Sequence, residues 1–171
     1  MSKRIIQAMI NPRFFFTSLC ASLLLASPVL ALKSDRQASI EVSSETAEFD
    51  EKTGIAKHSG HVSMTQGSRH LRSETLLIKR NTQQKIESLT ALGSPAYFEM
   101  QLEANQPLLK AQADRLEFYP QTQKIALIKH ATVTQDGHEI RGEHLIYHLD
   151  TKVLNSLFIE GSRTTVQIPA N

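Results

Sequence analysis

The chain of 171 residues holds one cysteine, Cys20, no tryptophan, and only 7 glycines and 6 prolines. A single cysteine excludes a disulfide scaffold and a thiolate metal site. Glycine and proline are too scarce for a collagen-like or low-complexity chain. Acidic residues are missing from the first 31 positions, which carry Lys3, Arg4 and Arg13. The formal net charge of +2 therefore belongs to that segment, and residues 32–171 have 16 basic against 17 acidic residues, a net of −1. Nucleic acid is not expected as a partner. With 40% apolar residues the chain is too hydrophobic for disorder and long enough for one modest domain.

Met1 to Ala31 reads as a cleaved signal peptide. The three basic residues form its n-region, Phe14 through Leu25 its apolar stretch, and Val29-Leu30-Ala31 a small-residue cleavage motif after Pro28. A retained membrane anchor is the competing reading, diluted by Ser18, Ser22, Ser27 and Pro28. Leu19 before Cys20 is too large for a lipid-modified cysteine. Cleavage after Ala31 leaves residues 32–171 as a single exported domain without cysteine.

Helical spacing of apolar residues is absent after residue 31, whereas short alternating runs recur, such as His61-Val62-Ser63-Met64-Thr65 and Ala96-Tyr97-Phe98-Glu99-Met100. Turn clusters separate them, including Gln66-Gly67-Ser68 and Gln135-Asp136-Gly137. This spacing predicts an all-β fold. Within it a stricter pattern starts at Val42, Leu71, Ala111 and Ile140: apolar, polar, small, acidic, any, apolar, any, bulky apolar. Identities at an offset of 69 residues include Phe49/Phe118, His61/His130, Arg72/Arg141 and Leu76/Leu145. The chain is an internal duplication with repeats at about 40–106 and 107–168.

Inward parity switches at the acidic position, from Leu71 and Ser73 before it to Leu76 and Ile78 after it. A strand that changes its inward face must bend or bulge there. The small residue (Ser44, Ser73, Ala113, Gly142) lets the backbone turn, and the acid (Glu45, Glu74, Asp114, Glu143) is expected to stay in water or accept a turn N–H. Four corner-turning strands alternating with flatter ones describe two sheets sharing strands, a jelly roll or a flattened β-solenoid.

These stretches resemble the OstA-like proteins of lipopolysaccharide transport. Ser59-Gly60-His61-Val62-Ser63-Met64-Thr65-Gln66-Gly67, Gly93-Ser94-Pro95-Ala96-Tyr97-Phe98 and Ile140-Arg141-Gly142-Glu143 carry the resemblance, which covers nearly all of the chain after the signal peptide. The second repeat departs by placing Lys129 where the first has glycine, which questions one turn but not the fold. The resemblance implies a twisted antiparallel β-jelly roll of V-shaped section. It also implies a periplasmic, non-enzymatic carrier of lipopolysaccharide that needs no cofactor. Copies would stack head to tail between an inner-membrane exporter's jelly-roll subunit and an outer-membrane translocon's periplasmic domain. The alternatives are a membrane-anchored jelly-roll partner of the same pathway and a structural or glycan-binding jelly roll, the latter disfavoured by the lack of tryptophan platforms.

By parity the inward residues are Ile40, Val42, Phe49, Val62, Met64, Leu76, Ile78, Ala96, Phe98, Met100, Leu116, Phe118, Val133, Ile140, Leu145 and Tyr147. They would line a groove for the lipid A moiety or fill a closed core; parity is the same for both. The first strand (Ile40, Glu41, Val42) and the last (Thr164, Thr165, Val166, Gln167, Ile168) have no proline inside and present edges for another sheet. Residues 32–38 could cover the first edge, while residues 169–171 are too few to cover the last. No metal site is expected among the seven histidines. His144 and His148 fall on one strand face about 13 Å apart, and His58 and His61 have opposite parity. No nucleophile or phosphate-loop motif occurs, so no catalytic residue is assigned. Lys79, Arg80 and Lys85 form a basic cluster best read as a solvated hairpin.

Overall fold

In the computed structural model, which describes residues 35 and 37–170, ten antiparallel strands form one continuous sheet. They are β1 (Glu41–Ser43), β2 (Thr46–Asp50), β3 (Ile55–Gln66), β4 (Arg69–Arg80), β5 (Ile86–Met100), β6 (Leu109–Tyr119), β7 (Lys124–Gln135), β8 (His138–His148), β9 (Val153–Ser156) and β10 (Thr165–Gln167). The order is β1-β3-β4-β5-β6-β7-β8-β10, with β2 also on β3 and β9 also on β8. Each long strand crosses a corner. β1 and β2 hold opposite ends of β3, and β10 and β9 hold opposite ends of β8. The sheet is thus two half-sheets joined along the corner, one containing β1 and β10 and the other β2 and β9.

The register breaks fall where the small-acidic pairs predict them, at Ser73/Thr75, Gln112/Arg115 and Ile128/Ala131 opposite His144/Gly142. The extra residues, however, sit on the strands expected to be flat. β3 spends Gly60-His61 opposite Glu74, β5 spends Gly93-Ser94-Pro95 opposite Asp114, and β7 spends Lys129-His130 opposite Glu143. A bend in a two-strand ladder needs the longer path on only one strand, so parity could place the corner without saying which strand carries the bulge. Gly93 is required at its corner, because a Cβ there would lie 2.9 Å from the Ala96 nitrogen.

The duplication is visible in the ladder itself. Val42↔Met64 and Phe49↔Ala56 in the first repeat return as Ala111↔Val133 and Phe118↔Ile125 in the second. The two repeats use different tight turns at the same place. Gly67 alone takes a positive φ of 59° in the first, whereas Asp136 and Gly137 take 51° and 75° in the second. Those are the requirements of II′ and I′ hairpin turns, both suited to right-twisted strands.

The half-sheets face each other. Phe98 belongs to one and Phe118 to the other, and their ring centroids are 6.1 Å apart. Between them lies one apolar core that includes Val62, Met64, Leu71, Leu76, Leu89, Leu116, Leu127, Leu145 and Tyr147. The stretch read as a signal peptide, residues 1–31, lies outside the described residues.

Candidate functional site

The apolar interior is made by alternate residues of eight strand segments on each side of the corner. Val62, Met64, Leu76, Ile78, Phe98, Met100, Leu116, Phe118, Leu145 and Tyr147 are all buried, while Ile40 and Val42 are partly buried against the same cluster. Tyr97, of outward parity, is 50% exposed. Phe49 has the inward register, opposite Ala56, but is 52% exposed. The reason is positional: β2 is an end strand, and no strand covers its other side among the described residues.

In the middle of the domain the two inner faces pack directly on each other, with Leu76, Leu116, Leu127 and Leu145 fully buried. Rows of apolar side chains on facing sheets exclude water by burying one another, by the same physics that would bury an acyl chain. The interior opens instead at its two ends. One hollow of about 350 Å³ lies at the C-terminal end, walled by Val133, Ile140, Tyr147 and Leu154, with Gln135, His138 and Lys152 at its polar margin and Gln106-Pro107 above it. The other, of about 300 Å³, lies at the N-terminal end against Ala47, Phe49 and Ala56, beside His58 and Arg80. Burial raises the Tyr147 phenol above its ordinary range, and its hydroxyl donates to Gln135 Oε1 at 3.2 Å.

Two features escaped the sequence reading. Arg69, on the inner face of β4, is buried with its guanidinium 5.1 Å from the centre of the Phe118 ring. It donates to Gln66 Oε1 at 3.0 Å and to Gln123 Oε1 at 3.4 Å, tying one half-sheet to the other. Its parity with Leu71 and Ser73 was the available signal. The second feature is a pair of side-chain clasps across the corner. His61 Nδ1 lies 2.6 Å from Glu45 Oε1, and His130 Nδ1 lies 2.9 Å from Asp114 Oδ2. Two of the four corner acids therefore face histidines while staying in contact with water, one of the two expected outcomes for them. The recurrence of histidine at the repeat offset was the clue. Hydrogen bonding to Glu45, with added attraction from Glu45 and Glu74, raises the His61 pKa above its ordinary 6.5.

On the outer surface Glu117 sits among Arg115, Tyr119 and Lys124. Burial alone would raise its pKa, but hydrogen bonds from Tyr119 and Arg115 outweigh that and hold it low. Lys79 of the basic hairpin is paired with Glu87 at 3.1 Å. Among the described residues no group of three or more His, Cys, Asp and Glu side chains could hold a metal ion.

The end strands are as important as the interior. At the N-terminal end Asp35 accepts from the Ser68 N–H at 2.9 Å, and Gln66 donates to the Ala38 carbonyl at 3.2 Å, so this segment does lie over one corner of the end. Among the described residues no strand pairs with the outer edge of β2 beside it. At the other end Val166 and Ile168 are 56% and 69% exposed, and Phe158 projects from the loop between β9 and β10.

Among the described residues the chain is an antiparallel β-jelly roll, apolar within and ending in the strand edges of β1/β2 and β9/β10, and that architecture defines its class of fold. The model of the family described as "LptA/(LptD N-terminal domain) LPS transport protein" matches residues 41–153, and the chain belongs to that family. It is 33% identical over 144 residues to the lipopolysaccharide export system protein LptH of Pseudomonas aeruginosa, covering 84% of this chain and 82% of that protein. To the lipopolysaccharide export system protein LptA of Escherichia coli (strain K12) it is 25% identical over 155 residues, covering 89% and 83%. The crystal structure of LptH, titled the LptA-homologous periplasmic component of the lipopolysaccharide transport device of Pseudomonas aeruginosa, superposes with a TM-score of 0.75. The identity there is 30%, covering 80% of this chain and 99% of that one.

Proposed function

We propose that this protein is a non-enzymatic periplasmic carrier that receives lipopolysaccharide, shelters its acyl chains between the two inner faces, and passes it along a stack of like domains. The observation that carries this reading is the continuous apolar interior that reaches a hollow at each end. Sheltering an acyl chain is worth about 0.8 kcal/mol per methylene, so a twelve-carbon chain gains roughly 9 kcal/mol from such a lining. That sum can offset the separation of apolar pairs such as Phe98 and Phe118, which lose only their contact with each other when a lipid chain takes their place. The lipid A moiety is the ligand. The stack would run from an inner-membrane exporter's jelly-roll subunit to an outer-membrane translocon's periplasmic domain, through edge strands containing Ile40 to Val42 and Thr164 to Ile168. Energy for the transfer would come from the exporter, as the family resemblance implies.

A photo-crosslinking residue placed at Phe98, at Phe118 and, as an outward control, at Tyr97 tests this in live cells. Lipopolysaccharide adducts are expected at the two inward positions and not at Tyr97. A folded, exported protein without adducts at either inward position would overturn the carrier reading.

A further inference from the structure

Opposite the corner, the mouth between the half-sheets is bordered by hairpin ends, and one of them is much longer than its neighbours. On the half-sheet of Phe98 the pairs Gln66↔Arg69 and Gln135↔His138 are closed by two residues each. Met100↔Leu109, where the first repeat passes into the second, is closed by the eight residues 101–108. Joining the two strands does not require that length, since the same ladder geometry is closed by two residues on either side.

The contacts of the extra residues show what they do. Leu102 turns back into the apolar cluster and is 3% exposed. Gln106 and Pro107 lie over the hollow walled by Val133, Ile140, Tyr147 and Leu154. The loop braces itself: Gln101 Nε2 donates to the carbonyl of Glu103 at 2.6 Å and to that of Gln106, and the Gln106 N–H donates to the Glu103 carbonyl at 3.2 Å. Its own half-sheet carries it, because the Gln101 N–H donates to Ser68 Oγ at 3.1 Å.

The link to the opposite half-sheet is of another kind. The Glu103 carboxylate meets the Lys152 ammonium, which stands in the turn between β8 and β9. Both side chains of this pair are 46% exposed, and an ion pair so open to water holds weakly and breaks readily. Farther along the mouth Arg69 reaches Gln123 through a buried hydrogen bond, a closure that costs more to part. A self-braced loop, seated on one half-sheet and tied to the other by a surface pair, is free to swing as a unit.

From these contacts we infer that residues 101–108 form a lid over a side entrance to the apolar interior, with Leu102 as its plug and the Glu103–Lys152 pair as its latch. What enters is an acyl chain of an amphiphile. The inference rests on the carrier reading above and adds to it a route of entry. A chain admitted only through the end hollows would have to thread lengthwise. At the mouth it passes in sideways, while its polar headgroup stays at the margin formed by Gln135, His138 and Lys152. In the empty protein Leu102 keeps water from the interior. Its withdrawal exposes less apolar surface than an acyl chain buries in its place, so the exchange favours the loaded state.

Thiol labelling reads the plug directly, because the chain after residue 31 contains no cysteine. Leu102→Cys is compared with Met100→Cys, since Met100 is the preceding inward residue and is 2% exposed. Each is placed in the exported protein carrying a photo-crosslinking residue at Phe98, and maleimide labelling is timed with and without purified lipopolysaccharide. Adducts at Phe98 report loading independently of the lid. Loading is expected to speed labelling at position 102 roughly tenfold or more, as local opening does, and to leave position 100 protected. Without lipid, Lys152→Gln should speed labelling at position 102 about two- to fivefold, the range an exposed ion pair allows. Adducts at Phe98 with position 102 still protected, or with both positions exposed alike, would overturn the lid and leave the carrier reading standing. An unchanged rate in Lys152→Gln would overturn the latch. No adducts at Phe98 in any of the proteins, including one without the cysteines, would overturn both readings.

Discussion

His61 Nδ1 sits 2.6 Å from Glu45 Oε1, closing the corner where the edge of the sheet is split into β1 and β2. Both side chains are exposed, so the clasp acts as a pH-responsive surface contact and not a buried ion pair. Because the folded-state pKa of His61 is raised above 6.5, the native state binds a proton more tightly than the unfolded chain. The associated stability is complete below pH 6.5 and is lost as pH rises through the folded pKa. The expected outcome for Glu45→Gln is a His61 pKa lower than in the parent by NMR titration. The stability difference between the two proteins should be largest at mildly acidic pH and shrink as the pH rises.

The two phenylalanines at equivalent positions of the repeats should respond very unequally to truncation. Phe118→Ala removes a buried ring that touches Phe98 and Arg69 and is expected to cost about 3–5 kcal/mol. Phe49→Ala, in the dilute protein, is expected to change stability by less than about 0.5 kcal/mol. Urea unfolding at low protein concentration separates them. A large loss for Phe49→Ala in a monomeric sample would show that its ring packs against its own chain.

Strand positions and corners were legible in the sequence because a period of two, interrupted by a small-acidic pair, carries both the inward face and the place where it switches. Leu71, Ser73, Leu76 and Ile78 all face inward as the pattern requires. Phe49 shows what parity omits: it gives the direction of a side chain but not the presence of a neighbouring strand to cover it. Parity is equally silent on whether facing rows touch, and the packing of Phe98 on Phe118 appears only in three dimensions. The bulged strands and the clasps were hidden for a related reason. The clasps join residues 16 positions apart, and both features lie across a hairpin whose register depends on how many residues the bend consumes.

Lys129 answers the departure that the second repeat shows at its corner. It adopts a φ of 65° where Gly60 adopts 82°, so the turn is kept with a side chain in left-handed backbone. At Gly60 a Cβ would lie 2.3 Å from Glu45 Oε2. The second repeat carries the shorter Asp114 in place of Glu45, an acid one methylene shorter beside the residue that has a Cβ. Lys129→Gly is expected to stabilise the protein by up to about 1 kcal/mol by removing left-handed strain. Asp114→Glu should destabilise the parent by about 1–2 kcal/mol and do much less harm when Lys129→Gly is also present. A double-mutant cycle in urea measures that coupling, and additive effects would mean that the two positions do not compete for space.

Arg69 links the half-sheets through Gln66, Gln123 and the Phe118 ring, and its contribution has two opposing parts. Burying a guanidinium costs desolvation, whereas its hydrogen bonds and its place over an aromatic face return free energy in a low-dielectric setting. Arg69→Met keeps similar bulk against Phe118 but leaves the Gln66 and Gln123 carbonyl oxygens without this donor, for an expected loss of about 1–3 kcal/mol. Arg69→Lys should not restore the parent's stability, because an ammonium cannot lie flat on the ring while reaching both amides. Urea midpoints for the three proteins decide the matter. An Arg69→Met protein more stable than the parent would mean that desolvation outweighs the bonds, and that the interior would be better packed with a purely apolar side chain there.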